Sequence, residues 1–173
     1  MIETFFVFLV GFFFAFLQFS FFFTLQANVS SAGLTYLITT VCWLGGAVIG
    51  LSIRRTLAVK YENLMIVTGA AGFYLVHLLV QWRPFDNAYF VIYAPLMVLS
   101  SIYAGYFFNS FRGRFNNVKN LFFWENNGFM FGIASSFLAV SLIGQSYRVW
   151  ILAVCAGAVA GLRSWFSFRD QRN

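Results

Sequence analysis

Six long apolar runs, separated by short polar segments, organise the chain. Within each run the apolar residues cover every helical face, so neither a single amphipathic stripe nor the alternation of a barrel strand describes them. Helices are expected at about 4–25, 33–53, 64–80, 88–108, 122–143 and 149–162. Runs of roughly 17–25 residues match the hydrocarbon thickness of a bilayer, and the sixth is short. Several Phe and Val clusters favour strands on propensity. In lipid an open sheet leaves its backbone unsatisfied, so helix is the expected state. The first run, with FFVFLVGFFFAFLQFSFFF at its heart, lacks a basic leader and exceeds the usual signal-peptide core, so it reads as a retained helix.

The links carry the punctuation. QANVSSAG, WRPFDNAY and GQSYR are short turns, while RRTLAVKYEN and NSFRGRFNNVKN are basic. Pro84 breaks the chain between the third and fourth runs. Trp82, Tyr89, Tyr147, Trp150, Trp165 and Phe168 suit a membrane–water interface. The tail RSWFSFRDQRN reads as polar enough to leave the bilayer.

Composition narrows the class. The 173 residues are 61% apolar and 9% charged, against about 45–50% and about 25% in ordinary soluble domains. That excludes a soluble enzyme domain and a disordered chain. The net charge of +6 would suggest a nucleic-acid face in a soluble protein. Here the bases fall between apolar runs, where they set topology, and no nucleic-acid partner is expected. With the N-terminus inside, Arg54, Arg55, Lys60, Arg112, Arg114, Lys119, Arg163, Arg169 and Arg172 lie on one side, and only Arg83 and Arg148 on the other. This positive-inside bias supports six spans with both termini cytoplasmic. The expectation is an all-α polytopic membrane protein, one transmembrane domain over residues 1–173, placed in a bacterial inner membrane.

Few residues carry chemistry. Tyr61-Glu62-Asn63 and Trp124-Glu125-Asn126-Asn127 each follow a basic link and open a helix. Acids near a helix N-terminus are favoured by its dipole. Glu62 and Glu125 are thus either caps with ion pairs or a pair of coupling carboxylates. Leu121–Trp124 lie at the edge of an apolar run, so a carboxylate at Glu125 needs a partner, with Lys119, Arg114 and Arg112 in loop reach. His77 is the only histidine. It is a weak candidate for a haem ligand or proton relay, and a hydrogen bond to another helix is the plainer reading. Cys42 and Cys155 fall inside apolar runs as small hydrophobes. No metal or other cofactor motif is present, and neither are a Walker loop, a zincin motif or a nucleophile elbow.

Glycines mark packing faces. Gly46 and Gly50, Gly128 and Gly132, and Gly157 and Gly161 each form GxxxG, which permits close backbone approach within a bundle or at an oligomer interface. Eleven of the 25 Phe lie in the first run and surround it. Lipid, a partner subunit or a flat apolar cofactor each suits such a surface.

The stretches WLGGAVIGLSIRR (Trp43–Arg55), PLMVLSSIYAGYFF (Pro95–Phe108) and WENNGFMFGIASSFLAVSLIG (Trp124–Gly144) combine glycine-rich helices with basic turns, with Asn127, Gly128 and Gly132 following a basic link. In this the chain resembles the membrane region of spermidine-synthase-like proteins, itself similar to major-facilitator bundles. The resemblance implies a six-helix architecture and allows a separate enzyme partner. It carries over no catalytic residue, and these 173 residues contain no counterpart of that family's nucleotide-binding domain.

The expected function is a non-catalytic membrane subunit that anchors or completes a larger assembly, with other membrane subunits as partners, reached through the Phe-rich first helix. The alternative is a small-solute transporter working as a dimer of six-helix units. A membrane enzyme or haem subunit is a third class.

Overall fold

A computed structural model describes residues 2–29, 32–53, 57–115, 117–144 and 146–170. Arg54, Arg55 and Arg172 of the basic-residue set lie outside these, as do Ser30, Ser31, Asn116 and Gln145 of the turns and the side chain of Arg148. The described residues form six α-helices: α1 Ile2–Asn28, α2 Ala32–Ser52, α3 Val59–Trp82, α4 Phe90–Phe111, α5 Val118–Ile143 and α6 Tyr147–Asp170. Each is long and apolar enough to cross a membrane. The protein is an all-α, six-helix bundle with the character of an integral membrane protein.

Helix ends differ from the sequence reading for identifiable reasons. Helix α5 begins at Val118 because Asn117 caps it, its side-chain oxygen accepting from the Lys119 amide at 2.9 Å. Helix α4 runs to Phe111 because that ring is buried against Phe107 and Phe6, at 4.9 and 5.1 Å between centroids. The largest correction is α6. The segment after Leu162, expected to leave the bilayer as a polar tail, stays helical to Asp170. It is held by a buried Arg163 and by Phe166, whose ring packs edge-on to Phe6 at 5.3 Å. Tyr147, expected at the interface, is buried, and its hydroxyl donates to the Ser136 carbonyl at 2.9 Å.

The Phe-rich α1 is the central helix and touches all five others. Phe6, Phe13, Phe14, Phe16 and Phe21 are fully buried, whereas Phe5 is exposed. Much of this aromatic surface therefore faces the chain's own helices, rather than the lipid, partner subunit or flat apolar cofactor that such a surface also suits. Edge-to-face contacts join it to its neighbours: Phe14 to Tyr103 of α4 at 5.7 Å, Phe21 to Phe73 of α3 at 5.6 Å and Phe16 to Tyr147 at 5.5 Å.

Two helix pairs pack closest, α1 with α5 and α2 with α4. Helix α3 lies between α4 and α6, and α6 returns to α1. Helix α5 rests almost wholly on α1. The wall around α1 is thereby open between α5 and the α2–α4 pair, bridged where Phe108 stacks on Phe122 at 4.7 Å.

Contacts at the two ends of the bundle fix its alternation. Glu3 pairs with Arg114 at 3.7 Å, and Asn109 donates to the Ile53 carbonyl at 2.8 Å. The N-terminus, the α2–α3 link and the α4–α5 link thus share one end. At the other end the Phe85 amide donates to the Asn28 carbonyl at 2.6 Å, with Phe85 in the left-handed region at φ 62°.

Candidate functional site

Glu62 and Arg163 meet inside the bundle near its basic end. Arg163 donates from Nε to Oε2 and from Nη2 to Oε1, each at 2.6 Å. The carboxylate side chain is 1% exposed and the guanidinium 8%. This is the planar two-bond match that a guanidinium makes with a carboxylate. Arg163 also sits over the Phe111 ring, 5.2 Å from its centroid, so its remaining cationic face meets π density. One residue along each helix, Asn63 donates to the Ser164 hydroxyl at 2.7 Å. The two contacts hold α3 and α6 in a single register. Tyr106 accepts from the Leu57 amide at 3.2 Å, and the Tyr103 hydroxyl is buried without a hydrogen-bond partner among the described residues. Sequence reasoning missed this pair because Arg163 reads as a tail residue. The available signal was spacing: Arg163 follows Val159 and Ala156 on one helical face, a face that an apolar neighbour would bury.

Glu125 is placed differently. It is 5% exposed, yet its carboxyl makes no ion pair or hydrogen bond with the described residues. Arg114, one cation within loop reach, is engaged by Glu3. The Glu125 side chain lines a groove of about 260 Å³ in the opening between α5 and the α2–α4 pair. Phe14, Trp43, Phe108, Phe122 and Phe129 supply its aromatic walls. A second cleft of about 280 Å³ shares Leu51, Phe108 and Phe122 with it and runs to Asn109 and Arg112. Glu62 and Glu125, alike in sequence, thus occupy separate sites.

The glycines explain why the groove has its shape. A Cβ on Gly11 would collide with the Glu125 carbonyl oxygen, and one on Gly128 with that of Phe8. At Gly132 it would lie 2.8 Å from the Phe12 carbonyl oxygen. Gly46, Gly50 and Gly105 seal α2 against α4 in the same way, against Val98, Ile102 and Ala47. A Cβ on Gly69 would lie 3.0 Å from the Ser100 carbonyl oxygen of α4. Gly157 and Gly161 have nothing within 4 Å of such an atom and lie on the exposed side of α6.

His77 stacks on Phe73 at 5.8 Å, and its Nε2 lies 3.1 Å from Gln81 Nε2 one turn on in the same helix. Cys42 and Cys155 are free thiols. Among the described residues no three His, Cys, Asp or Glu side chains gather as metal ligands. No family model, curated protein or solved structure matches this chain.

Proposed function

We propose that the protein is a non-catalytic integral membrane subunit that anchors or completes a larger assembly, in a bacterial inner membrane with both termini cytoplasmic. The observation that carries this reading is the contrast among the three GxxxG pairs. Gly46 with Gly50 and Gly128 with Gly132 each admit another helix's backbone, whereas Gly157 with Gly161 face outward and empty. A small-residue face in lipid gains by admitting a partner helix, because close packing is the main attraction available there. Exposed Trp150 and Trp165 stand toward the two ends of the same helix and suit its anchoring at the two interfaces.

The test uses the intact protein, isolated in mild detergent with what accompanies it. A Cβ at Gly157 meets open space, so with Gly157→Leu the bundle should keep its unfolding temperature while the complex loses its unlike subunits. A complex of unchanged composition, or an isolated protein that carries no unlike subunit, contradicts the reading.

The open groove at Glu125 favours a second reading, a small-solute carrier working as a dimer. Saturable, solute-dependent uptake by liposomes containing only this chain would replace the subunit reading with this one.

A further inference from the structure

The groove at Glu125 joins two features. One is the carboxyl of Glu125, a residue 5% exposed that makes no ion pair or hydrogen bond with the described residues, and the other is a wall made almost wholly of aromatic and aliphatic side chains. A carboxylate in such surroundings is costly unless a cation stands against it. Glu62 shows how this chain meets that cost, with Arg163 against both oxygens at 2.6 Å. Glu125 has the burial without the cation.

The walls select the kind of cation. Phe14, Trp43, Phe108, Phe122 and Phe129 present ring surface, which attracts an organic ammonium through its charge and its carbon skeleton alike. A hydrated metal ion would find one carboxyl and no other side chain in the groove lining that could ligate it. The groove's volume, about 260 Å³, is near the lower end of small-molecule pockets at roughly 300–1,000 Å³, and the adjoining cleft extends it. Gly11 and Gly128 bring the α5 backbone against α1, so Glu125 is held at the groove by a rigid contact.

We infer that this groove is a binding site for a lipophilic organic cation, an ammonium on an apolar body, with Glu125 as counter-ion and the surrounding rings as its walls. The inference depends on neither reading of the protein's role, since a subunit and a carrier can both hold such a ligand.

The test is equilibrium binding of radiolabelled benzyltrimethylammonium to the purified full chain in dodecyl maltoside, a neutral detergent without an ammonium group. Saturable binding of one probe per chain is expected. Glu125→Gln should weaken it at least tenfold, and Glu3→Gln, at the exposed pair with Arg114, should leave it unchanged. Neopentylbenzene, the uncharged isostere, should fail to displace the probe. Leu44→Trp fills the groove mouth with Glu125 intact and should also weaken binding tenfold, which keeps the site testable where Glu125→Gln does not fold. Added phosphatidylethanolamine separates the sources: competition assigns the natural cation to a lipid headgroup, and its absence to a soluble amine. Lack of saturable binding, Glu125→Gln binding like the unaltered chain, or equal displacement by neopentylbenzene overturns the inference.

Discussion

Arg163 and Glu62 are 101 positions apart and form the one two-bond ion pair among the described residues, closed to solvent and capped by the Phe111 ring. Breaking a buried pair from one side leaves the other charge without compensation, at about 3–5 kcal/mol. Arg163→Ala should therefore destabilise the bundle by about that amount, read by unfolding in mixed micelles. The double change Glu62→Leu with Arg163→Leu removes both charges and should recover most of the loss, since apolar replacements of buried pairs are often neutral or better. A double variant as unstable as the single one would mean that the pair's geometry, rather than its charge balance, holds α3 to α6.

The glycine contacts predict a graded series. At Gly128 a methyl group meets the Phe8 carbonyl, which belongs to a backbone and cannot swing aside. Gly128→Ala should cost at least the ~1–3 kcal/mol of ordinary overpacking. Gly161→Ala meets open space and should stay within about 0.5 kcal/mol of the unaltered chain, as surface changes do. Thermal unfolding of the two variants side by side checks the order. Equal losses would contradict the packing of α5 on α1.

Much of the fold was legible because lipid enforces it. Unbroken apolar runs of spanning length leave few alternatives to helix, so the number and order of the helices follow from hydrophobic patterning. What the pattern could not say is which helix lies inside. Burial is normally read from the polar face of an amphipathic helix, and in lipid both faces are apolar. Phe5 and Phe6 are adjacent and chemically identical, yet one is exposed and the other fully buried. The same blindness hid the role of Arg163. Charge near a chain end reads as solvated, and its burial depends on Glu62 arriving from a helix far away in sequence. Glu125 stood out in the sequence as an acid inside an apolar run, but its groove arises only where α5 and the α2–α4 pair fail to close.

Topology offers a direct check. The Glu3–Arg114 contact and the Asn109–Ile53 hydrogen bond put the N-terminus and two basic links at one end, and α6 runs back toward it. With Cys42 and Cys155 replaced by alanine, single cysteines introduced at Glu3, Lys119 and Arg169 should react with an impermeant maleimide from one side of the membrane. A cysteine at Asn87 should react from the other. In the proposed orientation the first side is the cytoplasmic one. Labelling of the Lys119 and Arg169 positions from opposite sides would refute the six-span arrangement.

The central position of α1 gives the last prediction. Phe6 is 0% exposed among Phe107, Phe111 and Phe166, with ring centroids at 6.2, 5.1 and 5.3 Å, while its neighbour Phe5 is 58% exposed. In water a buried Phe→Ala change costs about 3–5 kcal/mol. Part of that is transfer from water, which a chain that stays in lipid when unfolded does not recover, so packing loss dominates. Phe6→Ala should thus cost ~2 kcal/mol, below the range found in water. Phe5→Ala should cost less than about 0.5 kcal/mol, because its ring is replaced by lipid in either case. Unfolding of both variants in the same mixed micelles decides the matter. A larger loss at Phe5 than at Phe6 would place the other face of α1 inward and would turn the aromatic core, and with it the Phe14 wall of the Glu125 groove, toward lipid.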